Sequence, residues 1–431
     1  MVLNRIQAFN ESALARHFTK EDFYNDECLS DNDYRRDIVR QAVEESEKLF
    51  QNGVRYNSFF LGKKKSFSLS SLPQRLVFRT CSTYLNRALL RHNQSRSQIA
   101  REVRMFLADG TPYNIYRLDI KSFFENINKK ELNKKVDALG GLSMHTRKII
   151  KKKAELFDEA EGVCVPRGLE TSSVLSDLYL QEFDSYVVAR GEVFFYSRFV
   201  DDILIITSDE LERSGFKSDL FHALPKGLFF NNEKTEVISV VKRAKAGSVF
   251  KGKVVACFDY LGFRFKVIDS PLPIDRKSSS SKENARTAPA KFREVKVDLS
   301  PKKVKRIKDK LCKAFYSYGK SNDYSLLKDR VRFLTTNREF VKKDNSTIIP
   351  VGVYYNSSAC DFPSDQLAHL DDFMRYLLFG SNGRLPRLYA SRLSLRQKKE
   401  LMKFSFSYGF RNRVHKKFSY DRLAKMVEVW K

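Results

Sequence analysis

Two adjacent carboxylates interrupt a strand-like run in Tyr196-Ser197-Arg198-Phe199-Val200-Asp201-Asp202-Ile203-Leu204-Ile205-Ile206, and they constrain this chain more than any other feature. An apolar run bounded by polar residues reads as buried β-structure, where charged side chains cost free energy unless something cationic compensates them. Asp201 and Asp202 either make a polar turn between two strands or stand at a hairpin tip that presents acids to metal ions. A second acid pair provides a control. Asp371-Asp372 falls among Leu367, Leu370, Phe373, Met374, Leu377 and Leu378, a three-and-four spacing that predicts a helix with both acids on its solvated face.

A third acid upstream distinguishes the first pair. In Ile115-Tyr116-Arg117-Leu118-Asp119-Ile120-Lys121-Ser122-Phe123-Phe124 apolar residues alternate up to Asp119, which predicts a strand ending near that acid, with two aromatics after it. Two acidic positions, each beside a buried strand, suggest one shared cation site. All-oxygen ligands favour magnesium, which keeps several waters and completes its octahedron with substrate phosphates. Phosphoryl transfer is the chemistry that uses such a site.

Five segments then occur in order between Asp119 and Phe263. They are Asp119 with its trailing Phe123-Phe124, the stretch from Pro166-Arg167-Gly168-Leu169 through Leu180, the Phe199-Val200-Asp201-Asp202 box, Asn232-Glu233-Lys234-Thr235, and Tyr260-Leu261-Gly262-Phe263. In this order they resemble the successive palm motifs of reverse transcriptases, in the style of the bacterial branch that includes retrons, group II intron enzymes and abortive-infection enzymes. The resemblance implies an α+β right-hand polymerase with α/β fingers, a ferredoxin-like palm and a helical thumb plus C-terminal extension. It further implies an RNA-directed DNA polymerase, and within that branch the expectation is a defence-associated member templated by a dedicated structured noncoding RNA.

What the family does with these positions can be carried over residue by residue. Carboxylates equivalent to Asp119 and Asp201 bridge two Mg²⁺ ions about 3.5–4 Å apart, with Asp202 as an accessory acid and the Ile120 carbonyl helping to hold the nucleotide-side metal. Phe124, five residues after Asp119, takes the steric-gate position that favours deoxynucleoside triphosphates; its other reading is an ordinary core Phe. Gly168 permits close backbone approach to a ligand or a positive φ, and Leu175, Leu178, Tyr179 and Phe183 after it have helical spacing. Lys234 either reaches a phosphate or is a solvated turn lysine. Lys65 and Arg75 sit in basic segments resembling those that clamp the triphosphate, or equally a loop gripping template backbone. Tyr260, Leu261, Gly262 and Phe263 resemble the primer grip, against a plain hairpin edge.

Three departures from the family pattern touch nucleotide selection and template handling. Phe199 replaces the usual Tyr, Arg167 the usual Gln and Ser173 the frequent Pro. Arg167 and Phe199 keep a second function in view, untemplated or protein-primed DNA synthesis; a third is a catalytically silent nucleic-acid-binding module. The three intact acids weigh against the last.

Composition fits a polyanionic partner. The 79 Lys and Arg against 52 Asp and Glu give a net charge of +27, and each phosphate neutralised releases counterions. Aromatics at 13% supply stacking platforms for a single strand. The six cysteines are widely spaced with no C-x-x-C pair, so thiol metal sites are not expected. No apolar stretch approaches the roughly 18 residues of a spanning helix, and Met1–Ile6 lacks a long apolar core. Taken with what the resemblance implies, the expectation is a bacterial cytoplasmic protein with no membrane partner, working with RNA and its DNA product, as a homo-oligomer or beside a companion polymerase.

The expected organisation is a helical N-terminal extension over 1–55, fingers over 56–110, palm over 111–267, a flexible linker over 268–296, and a helical thumb with C-terminal extension over 297–431. Ser300 before Pro301-Lys302-Lys303-Val304 is a good helix N-cap, with Val304, Ile307 and Leu311 beneath a cationic face. Beyond it, Arg384, Arg387, Arg392, Arg396, Arg411 and Arg413 either bind a structured RNA or line solvated helix faces.

Overall fold

The computed structural model describes residues 7–62, 64–90, 94–241, 253–269, 293–341, 348–389 and 391–430. Helices and sheets are both abundant, in an α+β arrangement. The chain divides into two compact units, one of Met1–Asn93 with Asn114–Val237, the other of Gln94–Tyr113 with Ile238–Lys431. The division differs from the expected boundaries at 110/111 and 267/268. Helix Arg96–Leu107 buries Ile99, Ala100, Val103 and Leu107 and packs on two strands that lie far later in the sequence.

In the first unit, helix Asn32–Glu47 buries Ile38, Val39 and Ala42 and packs on helix Leu72–Ala88. Against helix Leu72–Ala88 lies Asp22, which closes a capping box with Thr19 and accepts hydrogen bonds from Arg79 at 2.6 Å and Arg75 at 3.2 Å. Burial raises the Asp22 pKa, but the Arg79 guanidinium outweighs it and the carboxyl stays below its ordinary value. Strands β1 (Tyr56–Leu61) and β2 (Lys64–Leu69) form an antiparallel hairpin.

The four-stranded sheet of this unit is made of β3 (Tyr113–Asp119), β4 (Val193–Phe199), β5 (Asp202–Ser208) and β6 (Glu236–Val240), in the order β4-β5-β3-β6. Helices separate β3 from β4 and β5 from β6, so the connectivity is βαββαβ with the first strand between the third and fourth. Ile203–Thr207 are buried without a break, which is why β5 reads as a continuous apolar run rather than an alternating one. Helix Ser172–Val188, buried through Val174, Leu175, Leu178, Leu180 and Phe183, packs on β4. The consequence for function is that β3 ends, and the β4–β5 hairpin turns, where the sequence places its acids.

The second unit is built on an antiparallel sheet of β7 (Lys253–Tyr260), β8 (Phe263–Asp269) and β9 (Glu294–Leu299), in that order. The linker expected over 268–296 is corrected at both ends, because Asp269 closes β8 and Glu294 opposes Ile268 at the start of β9. The strict alternation of Glu294-Val295-Lys296-Val297-Asp298-Leu299 is the strand signal. The Pro- and Ser-rich stretch between, with Pro271, Pro273, Ser278 to Ser281 and Ala288-Pro289-Ala290, lies outside the described residues, as do Met1–Ile6 and Lys63.

Helix Pro301–Ser321 follows the Ser300 cap, whose hydroxyl accepts from the Lys303 amide at 3.3 Å, and buries Val304 and Leu311. A small antiparallel hairpin, β10 (Asn337–Val341) with β11 (Ile348–Gly352), comes next. Helix Asp365–Phe379 corrects the expectation for Asp371-Asp372. Asp372 is exposed beside Arg375, but the Asp371 carboxylate accepts from Ser405 Oγ and from the Phe406 and Ser407 amides, satisfying the N-terminus of helix Phe406–Arg411. Among the described residues no helix is long and apolar enough to cross a membrane.

Candidate active site

The first unit joins the end of β3 to the turn of the β4–β5 hairpin. The Ile120 amide donates to the Asp201 carbonyl at 3.1 Å, and on the other side Asn231 donates its amide to the Asp119 carbonyl at 2.7 Å. Three chain segments, 119–120, 201–202 and 230–231, are thereby tied at one corner of the sheet, a link completed by a bridge between Ile120 and Phe230.

Asp201 and Asp202 reach that corner on a strained turn. Phe199 pairs with Asp202, leaving Val200-Asp201 as a two-residue loop, and Val200 has φ +62°. A positive φ in the first loop position is the geometry that ordinarily selects Gly, and a β-branched residue there is held in place by its surroundings. The holding group is Arg198. Its guanidinium, almost fully buried, donates to the Val200 carbonyl at 3.1 Å, to Asp177 at 3.1 Å and in a fork to Asp184 at 2.6 and 2.7 Å. Burial penalises the charge, but Asp184 more than restores it, so the guanidinium pKa is raised. Sequence reading passed over Arg198. Its signal was Asp177 and Asp184 seven residues apart on one helix face, two like charges that needed a shared cation.

The carboxylates themselves are unequally served. Asp119 is buried and receives Lys234 Nζ at 3.0 Å on both oxygens, together with Asn231 Nδ2 at 3.3 Å. Lys64 Nζ lies 4.0 Å from Asp201. The Asp202 pKa is raised, by burial first and then by the charges of Asp201 and Asp119. Among the described residues no three His, Cys, Asp or Glu side chains are gathered to hold a metal ion as they stand. The donor set nevertheless fits a hard cation. It is all oxygen, its acids repel one another enough to perturb Asp202, and a lysine ammonium already sits on Asp119.

Helix Ser172–Val188 is introduced by the loop that carries Arg167 and Gly168. Gly168 has φ +92°, and a Cβ there would stand 2.5 Å from the Phe67 carbonyl oxygen, while the Phe67 amide donates to Arg167 O at 2.8 Å. The loop is thus laid directly against β2. Arg167 makes a bidentate pair with Glu125 at 2.9 and 3.0 Å, and its guanidinium lies 4.6 Å over the ring of Phe124, which is 8% exposed. At the helix entrance the Thr171 backbone is itself αR and its side chain makes no cap, while its hydroxyl takes a hydrogen bond from the fully buried Lys153.

The remaining expected residues make contacts of their own. Lys65 pairs with Glu161 and Arg75 with Asp22, so the basic side chain brought near the acids from β2 is Lys64. Tyr260, Leu261, Gly262 and Phe263 belong to the second unit, at the β7–β8 turn. Tyr260 and Phe263 are buried in that unit's core, and Lys303 Nζ stands 5.0 Å over the Phe263 ring. Leu261 and Gly262 form the turn, with φ +50° and +86°.

Residues 68–265 match the family model described as Reverse transcriptase (RNA-dependent DNA polymerase). The chain carries a reverse transcriptase domain. Such a domain is that of an RNA-directed DNA polymerase, a nucleotidyltransferase. The matched reverse transcriptase domain begins in β2 and ends in β8, taking in the corner where Asp119, Asp201 and Asp202 meet. No curated protein matches the sequence. Among solved structures, telomerase from Candida albicans in complex with a TWJ fragment of telomeric RNA is similar at 14% identity and a TM-score of 0.31, over 82% of this chain and 51% of that one. The chain thus spans about half the length of that solved chain.

Proposed function

We propose that the protein is a bacterial reverse transcriptase that copies a dedicated structured noncoding RNA into DNA, in the cytoplasm and in the service of antiviral defence. The observation that carries the polymerase reading is the tie between Ile120 and Asp201, which brings the strand-end acid and the hairpin acids to one corner. The βαββαβ sheet serves as a ferredoxin-like palm, β1–β2 and its neighbouring helices as fingers, and helix Pro301–Ser321 as the start of a thumb. The defence role and the noncoding RNA follow from the order and style of the sequence motifs.

Asp119 and Asp201, with Asp202 and the Ile120 carbonyl, would hold two Mg²⁺ ions, which supply activation of the 3′-hydroxyl and neutralisation of the triphosphate. The protein's own part is positioning. Arg198 fixes the turn, Phe124 meets the sugar, and Lys64 and Lys234 bring positive charge to the acids from two directions. In this reading Lys234 leaves Asp119 when substrate arrives.

A second reading, untemplated or protein-primed synthesis, is favoured by one feature. Arg167 covers the Phe124 ring and is anchored by Glu125, which fills space beside the gate with a fixed cation.

One experiment separates them. The protein is purified with its bound nucleic acid and supplied with labelled deoxynucleotides and Mg²⁺, then RNA and product are sequenced, with Asp201→Asn as control. A product complementary to the bound RNA is expected, and none from the control. Product lacking any complement would replace the first reading with the second, and product from Asp201→Asn would remove the metal-site assignment.

A further inference from the structure

In the second unit, outside the matched domain, aromatic rings, of which Tyr354 is partly buried, and cations with no acidic partner among the described residues occur together in the segments 354–362 and 408–417. Tyr408 is 60% exposed and Phe362 44%. Arg413 lies 4.4 Å over the Tyr354 ring and Arg411 lies 5.6 Å over Phe362. Arg411, Arg413, Lys416 and Lys417 are all exposed, and none is in an ion pair with a described residue. Among the described residues the neighbouring His415 lies 3.9 Å from the Glu339 carboxylate.

The backbone under this surface is fixed before any partner arrives. Asn337 is fully buried and clips three segments together. Its side-chain amide donates to the Gly409 and Val414 carbonyls at 3.2 Å, its side-chain oxygen accepts from the Tyr354 amide at 2.9 Å, and its carbonyl accepts from the Lys416 amide at 2.8 Å. Gly409 admits no side chain, because a Cβ would stand 1.8 Å from the Thr335 oxygen. Arg413 is held at φ +47°, a conformation a non-glycine residue keeps only when its surroundings impose it.

Each property selects a partner. Exposed rings stack on bases whose faces are free, which single strands offer and duplexes do not. Cations without acidic partners take phosphates, with counterion release. A protein partner is a poorer match, since lysine is depleted in protein interfaces and the rings here are interleaved with charge rather than gathered in an apolar groove.

We propose that this surface docks a single-stranded segment of RNA, its bases against Tyr354, Phe362 and Tyr408 and its phosphates on Arg411, Arg413, Lys416 and Lys417. The choice of RNA over DNA rests on the noncoding-RNA reading above. The surface itself does not depend on catalysis.

The test is photo-crosslinking of the full chain to a single-stranded RNA containing 4-thiouridine, with the attachment sites mapped by mass spectrometry. Crosslinks at Tyr354, Phe362 or Tyr408 are expected, with yield falling about tenfold in an Arg411→Gln, Arg413→Gly, Lys417→Gln variant. Glycine suits the positive φ at 413, and Arg411→Gln, read singly, keeps the test sound if the triple variant fails to fold. Crosslinks confined to other residues, an unchanged yield in the variant, or equal competition by double-stranded RNA would each overturn the proposal. Preferential competition by a single-stranded DNA of the same sequence would overturn the choice of RNA. Primer extension by the unsubstituted protein is measured beside it, so that loss of the polymerase reading with crosslinks intact is told apart from loss of the docking surface.

Discussion

Lys234 and Asp119 form a bifurcated ion pair, with the ammonium 3.0 Å from each carboxylate oxygen. A divalent ion and this ammonium compete for the same oxygens. Lys234 is half exposed, so the pair is worth little in water and the competition is mild. For Lys234→Gln we expect Mn²⁺ to bind roughly two- to fivefold more tightly without nucleotide. An electron paramagnetic resonance titration reads this directly, and equal or weaker binding would show that the lysine does not compete.

Arg198 couples helix Ser172–Val188 to the strained carbonyl of Val200. Lysine cannot reproduce a fork to Asp184 together with contacts to Asp177 and Val200. Arg198→Lys should lower kcat for primer extension about tenfold or more with KM for the nucleotide changed far less, since a displaced turn misplaces reacting groups rather than binding surface. A change in KM with kcat intact would assign Arg198 to binding instead.

Gly168→Ala should destabilise the chain by about 2–4 kcal/mol, because it combines an unfavourable positive φ with a clash against the Phe67 backbone. Urea unfolding followed by fluorescence measures it. A loss under half a kcal/mol would mean that the loop can move away from β2.

Lys153 gives the fold a pH signature. Burial depresses its pKa from 10.5 to about 8, so the folded chain sheds a proton that the unfolded chain keeps up to 10.5. Its charged form opposes folding below about 8, and stability recovers as pH rises from there towards 10.5. Relative to Lys153→Met, the wild-type protein should gain on the order of 2 kcal/mol across that window. Parallel stability curves for the two proteins would refute the assignment.

What the sequence displayed was whatever repeats or breaks a periodic pattern locally. Asp119 at a strand end and Asp201-Asp202 at a hairpin could be read because two-residue alternation and an apolar run stop at charged residues. Phe124, Lys234 and Gly168 stood out only through motif order, and their nucleotide-binding roles are proposals. Lys64 and Asn231 were not legible, because each takes its role from a partner in another segment, and Arg198 showed only indirectly, through the spacing of Asp177 and Asp184. The same reason hid the partners of Lys65 and Arg75, Glu161 and Asp22, which lie 96 and 53 residues away. Asp371 shows the converse error. Its helical spacing was read correctly, but spacing does not reveal that a later helix end arrives beside it.

Asn337 makes the end of the chain behave as one object in time. The Tyr354 amide bonds its side chain and the Lys416 amide bonds its carbonyl, though 62 residues separate them. Neither hydrogen can meet solvent without disturbing the same buried asparagine. In hydrogen–deuterium exchange the two should therefore open as a single event with one shared rate. Asn337→Ala should release both together, and helix Pro301–Ser321 should keep its own slower clock.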